Sequence, residues 1–185
     1  MKLNADTKLS FQRICWASRI LALACLWLIF CLPVAVAFYW LWADAVSLAV
    51  RVNLPPNGVE HGLLAWQRLT GCVLTEISLV FLLMGVWQAR QCFKLFTHNK
   101  LFTRQAVSYL KHFAAWAALS AVAEIITKAL ISVVLTYENL AGMRHVAIGI
   151  GSDQIFLLFF AGMVWLMASV INEGQLLAEE NASFI

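Results

Sequence analysis

Residues 113–135 read FAAWAALSAVAEIITKALISVVL. A helix of about 20 residues crosses the ~30 Å hydrocarbon core of a bilayer, and this stretch is long and apolar enough to do so. Yet it carries Glu124 and Lys128. A charge at such depth costs ~2.5–3.5 kcal/mol on insertion scales, so each needs a partner, a water-filled cavity or a changed protonation state. Ala114, Ala117, Ala121, Glu124 and Lys128 follow one another in steps of three and four and therefore share a helix face. Small residues let helices approach closely, so this face packs against protein and not lipid. Glu124 precedes Lys128 by four residues, the favourable order for an ion pair along a helix.

The rest of the chain agrees with a membrane setting. Of its 185 residues 62% are hydrophobic and 12% charged, against about 25% charged in ordinary soluble domains. Four apolar spans are predicted, at about 20–42, 69–89, 113–135 and 154–172, the last starting as early as Val146. Only helices or closed barrels can span lipid, and unbroken apolar runs are not barrel strands. The expected fold is an all-α, up-down bundle of four transmembrane helices in a single domain over 1–185. Ala35-Val36-Ala37 has the form of a signal-cleavage site. The apolar run continues through Phe38, Tyr39 and Trp40, however, and starts only after a 19-residue leader, so a retained helix is expected. Pro33 is tolerated there and is expected to kink it.

Orientation follows from Lys and Arg. Lys2, Lys8, Arg13 and Arg19 precede the first span. Arg90, Lys94, Lys100, Arg104 and Lys111 lie between the second and third, with no acid among them. Arg51, Arg68 and Arg144 are the basic residues of the other two loops. That asymmetry puts both termini and the middle loop in the cytoplasm. Trp40, Trp42, Trp66 and Tyr137 then fall at outer helix ends, where aromatic anchors are expected.

A third intramembrane charge, Glu76, lies in the second span. Counted from Arg90 and His112, Glu76 and Lys128 come to depths only ~3 Å apart at ~1.5 Å per residue. Lys128 is thus expected between two carboxylates, with Asp153 near the outer end of the fourth span as a fourth member. Three readings stay open: a polar lock that fixes helix register, a ligand or ion site, and a proton relay.

The middle loop is patterned. Trp87, Cys92, Leu95 and Phe96 continue the second helix beyond the apolar span. Thr97-His98-Asn99-Lys100 breaks it, with Asn99 suited to a left-handed residue. Thr103 reads as the N-cap of a helix beginning near Arg104. A long helical hairpin with a basic tip results. In the first loop, Asn53-Leu54-Pro55-Pro56-Asn57-Gly58 is a turn signal, and residues 45–52 are expected to extend a flanking helix. The C-terminal segment carries Glu173, Glu179 and Glu180 and no base. Docking on the basic hairpin would relieve its repulsion from anionic headgroups; a frayed, solvated end is the alternative.

Residues 88–110, with Phe96, Lys100-Leu101-Phe102-Thr103, Val107 and Leu110, resemble the loop of a bacterial membrane family, Domain of Unknown Function 2975. The 173–181 segment, Glu-Gly-Gln-Leu-Leu-Ala-Glu-Glu-Asn, is similar to that family's C-terminal motif. Asn99 stands where the family tends to have Gly. The resemblance implies four helices, the bacterial inner membrane and no catalytic residues. It also implies a link to a small helix-turn-helix regulator, beside which members are often encoded.

No G-x-S-x-G, H-E-x-x-H or phosphate-loop motif is present. Cys15, Cys25, Cys31, Cys72 and Cys92 form no C-x-x-C pair and read as small core hydrophobes. His61, His98, His112 and His145 lie near membrane surfaces and do not pair at haem-ligating depth. No metal, cofactor or direct nucleic-acid contact is expected, and a homo-oligomer stays open. The leading expectation is a non-enzymatic membrane regulator or adaptor. It would engage a cytosolic partner through Arg90, Lys94, Lys100, Arg104 and Lys111 of the hairpin and through Glu173, Glu179 and Glu180. The alternative is a small transporter or ligand sensor using Glu76, Glu124, Lys128 and Asp153.

Overall fold

The computed structural model describes residues 3–54, 62–97, 103–139 and 146–183. Among them are five helices and no strands: α1 Leu3–Trp42, α2 Ala45–Arg51, α3 Ala65–Thr97, α4 Arg104–Thr136 and α5 Ser152–Ser183. α1, α3, α4 and α5 are each long and apolar enough to cross a membrane. The turn at Pro55-Pro56-Asn57-Gly58 and the break at His98-Asn99-Lys100 lie outside the described residues.

The long helices overrun the apolar spans that the sequence marks. α1 begins at Leu3 and not near Ile20, because no Gly or Pro precedes Pro33 to stop it. Pro33 itself sits inside an unbroken helix. α3 runs on to Thr97, and α4 starts at Arg104 under Thr103, whose hydroxyl accepts the Ala106 N–H at 3.3 Å. That is the N-cap bond to the third helical residue. α5 starts at Ser152, not Val146, and stays helical to Ser183. The acidic end is thus part of a helix.

Residues 45–52 do not prolong a neighbour. α1 ends at Trp42, and α2 is a separate helix opened by Asp44. It closes with Asn53 at φ 60° while Asn53 N–H bonds to Val50 O and Leu54 N–H to Ala49 O. This is the paired C-terminal capping pattern, with Asn in the left-handed position that Gly usually takes. Leu54 then joins the buried core.

The chain forms two compact units, neither contiguous in sequence. The first comprises Met1–Ile29, Leu83–Ala117 and Phe159–Ile185. It is packed through small side chains: Cys92, Ala106, Ala114, Ala117, Ala161 and Ala168 are all buried. The second comprises Phe30–Leu82 and Ala118–Leu158. It holds a hydrophobic core of Trp40, Ala43, Leu48, Ala49, Val52, Leu54, Ile131 and Leu135.

Trp40 corrects one sequence expectation. It is no interfacial anchor but 3% exposed. Its indole lies against Gly71, where a Cβ would fall about 2.1 Å from the ring. Its Nε1 donates to Thr75 Oγ1 at 3.1 Å, satisfying the one polar atom such burial leaves. Arg68 closes the joint by donating from Nη1 to the carbonyls of Trp40 and Leu41 at the end of α1, where unpaired helix carbonyls attract cations. Trp42 stays 83% exposed, and Trp66 and Tyr137 stack edge to face at 5.9 Å.

Candidate functional site

The small-residue face of α4 is as the spacing requires: Ala114, Ala117 and Ala121 are each at most 1% exposed. Further along that face, Lys128 Nζ meets Glu124 Oε1 at 3.1 Å and Asp153 Oδ2 at 3.4 Å. The Lys128 side chain is 13% exposed, Glu124 35% and Asp153 65%. Lys128 is therefore the enclosed member of the trio. Glu76 is not among its ion-pair partners, and its Oε1 is buried with no hydrogen-bond partner. Equal depth does not give equal azimuth, so Glu76 can stand level with Lys128 on a different face of α3.

Asp153 owes its place to the start of α5. Gln154 is fully buried. Its Oε1 accepts the Gly151 N–H at 2.8 Å, and its Nε2 donates to Asp153 Oδ2 at 3.1 Å. Asp153 also lies in the first turn, where the helix dipole favours an acid. A Cβ on Gly151 would meet Asp153 Oδ1 and Gln154 Oε1, so a larger residue here displaces the side chains that order this start. Gln67 acts alike at the start of α3: it accepts the Leu64 N–H at 3.0 Å and donates to Val134 O at 3.1 Å. Ser132 ties residues 146–151 to α4 by accepting the Ala147 N–H at 3.0 Å.

Beside the ion pair lies a cavity of about 260 Å³, all of it within the second unit. Leu32 and Val36 of α1 and Leu79 and Leu82 of α3 give it apolar sides. Ser120, Glu124, Thr127 and Lys128 form a polar wall along α4. Tyr39 and Arg51 also line it, the guanidinium lying 5.1 Å from the centre of the Tyr39 ring. A half-open pocket with apolar sides and a few placed polar groups is the usual form of a small-molecule site.

The first unit gathers the surface charges. Arg104 of α4 and Glu179 of α5 form an ion pair, both ends more than half exposed. Lys111 lies 6.0 Å from the Trp165 ring and Arg90 5.2 Å from that of Trp87. Arg90 Nε and the side-chain amide of Gln175 are buried without partners. Lys94 is exposed in the last turn of α3, and Glu173 and Glu180 are exposed on α5. Lys100 lies outside the described residues. Among the described residues, no group of three or more His, Cys, Asp or Glu is placed to hold a metal ion.

Four spanning helices, an enclosed ion pair and a charged surface on the helix ends define a multi-pass helical membrane protein. The chain belongs to the family described as Protein of unknown function (DUF2975), whose sequence model matches residues 56–185. The match takes in both resembling segments, 88–110 and 173–181, and begins after α2. No curated protein and no solved structure matches the chain.

Proposed function

We propose that this is a non-enzymatic regulatory or adaptor protein of the bacterial inner membrane. Its termini and its α3–α4 connection face the cytoplasm, where the basic hairpin and the acidic end of α5 hold a cytosolic partner, such as a helix-turn-helix regulator. The observation that carries this reading is the Arg104–Glu179 ion pair, which joins the basic segment and the acidic segment into one surface. Exposed ion pairs are worth about 0–1 kcal/mol, so the contact opens readily to a competing charged partner. The Lys and Arg asymmetry of the loops supports the orientation.

Charge reversal at Lys94, Lys100 and Arg104 tests it. Arg90 is left intact because its Nε is buried. Crosslinking and pull-down from membranes recover a cytosolic protein with the parent chain and lose it with the variant, while the helices stay folded. Recovery weakens as salt rises, since such attraction is screened. A partner retained equally by the charge-reversed chain would contradict the reading. A second reading, a ligand sensor or transporter, has the cavity beside Lys128 in its favour.

A further inference from the structure

We infer that the cavity of the second unit is a binding site for a single-chain amphiphile with a carboxylate head and about eight to ten carbons. The inference is independent of the surface reading above. It begins with charge. On the polar wall of the cavity Lys128 is matched by Glu124, the one carboxylate of the lining, and Asp153 holds Lys128 further from outside the lining. That wall leaves no free cation for a ligand. Arg51 is the other cation of the lining, and no described carboxylate lies within ion-pair distance of it. Its guanidinium rests on the Tyr39 ring, which positions it without neutralising it. A planar fork of donors of this kind matches a carboxylate.

Size and shape set the rest. From Tyr39 to Leu32 the lining descends α1 for about 10 Å at ~1.5 Å per residue, enough for a chain of about eight carbons. Leu32, Val36, Leu79 and Leu82 give that chain its apolar contacts. A hydrocarbon without a charged head would gain as much from the surrounding lipid, so Arg51 is what makes the site selective. Thr75 is already committed to Trp40 and Gly71, and so does not compete for the head.

The test is photolabelling of the full chain in phosphatidylcholine nanodiscs with a ten-carbon carboxylic acid bearing a diazirine near its tail. The expected result is labelling confined to the segments 32–36 and 79–82. Decanoate competes it away, decanol does not, and Arg51→Gln lowers it about tenfold, the worth of one charged hydrogen bond. Arg51→Lys, which keeps the charge and loses the fork, restores only part of it. Arg51 is exposed at the end of α2, so its replacement leaves the fold intact, which an unchanged melting temperature verifies. Leu79→Trp, which fills the cavity, abolishes the labelling. The proposal is overturned if label spreads over the outward faces of α1 and α5, for example at Phe30 and Phe159, or if Arg51→Gln labels like the parent. Competition by decanol equal to that by decanoate overturns it as well. Loss of the cytosolic partner in the pull-down leaves each of these outcomes unchanged.

Discussion

The two compact units draw on the same four long helices and are built by different means. In the second, helix starts and ends are tied by side-chain hydrogen bonds: Trp40 to Thr75, Gln67 to Val134, Ser132 to Ala147, Gln154 to Gly151. In the first, the buried residues are mainly alanines and two cysteines, and its charged residues are exposed or lie against aromatic rings. Lipid offers no hydrophobic force between helices, so association rests on close packing and on hydrogen bonds. Both units use both, but the second carries more of the side-chain hydrogen bonds between helices. Polar substitutions are therefore expected to matter most in the second unit, and charge at the surface in the first.

The largest effect falls on the enclosed ion pair. Lys128→Ala leaves Glu124 with no cation in a low-dielectric site and costs about 3 kcal/mol, the lower end for a broken buried pair because Asp153 is well exposed. The amount of folded protein in membranes reports this. Replacing Lys128, Glu124 and Glu76 together by apolar residues of similar size does less harm. Lys128→Ala as stable as the parent would mean that the pair contributes nothing.

Glycine substitutions sharpen the contrast. Gly71→Ala drives a methyl into the Trp40 ring and costs about 1–3 kcal/mol. Gly85→Ala in the first unit meets only ordinary contact, 3.4 Å from Trp116 Cβ, and is neutral or slightly stabilising. Thermal melting in one detergent compares the two, and equal losses would erase the distinction. Next in size is Gln67→Leu, which strips partners from the Leu64 N–H and the Val134 carbonyl. It lowers stability by about 1–3 kcal/mol, again read by melting. The smallest effect is Arg104→Ala, below about 1 kcal/mol and fading as salt rises. A large, salt-independent loss there would place structural weight on a contact that is mainly surface.

The comparison also explains what could be read from the chain. Periodicity is local, so it carried the long hairpin helices, the Thr103 cap, the alanine face and the Glu124–Lys128 pair. Features set by residues far apart in sequence stayed hidden. A tryptophan at a helix end reads as an interfacial anchor unless Gly71 is known to receive its ring. Gln67 and Gln154 are weak signals because the residues they cap, Leu64 and Gly151, are not the Ser or Thr of a capping box. Depth placed Glu76 beside Lys128, but depth leaves open the direction in which a side chain leaves its helix. The cavity follows from four helices and α2 converging, and no single stretch announces it.

Orientation underlies the adaptor reading, and one measurement tests it directly. In a chain stripped of its five native cysteines, a single Cys is placed at Asn57 or at Asn99, and cells or spheroplasts are treated with a membrane-impermeant maleimide. Reaction at Asn57 and none at Asn99 until the membrane is opened is the predicted result. Reaction at Asn99 in sealed cells would contradict it, turning the basic hairpin away from any cytosolic partner.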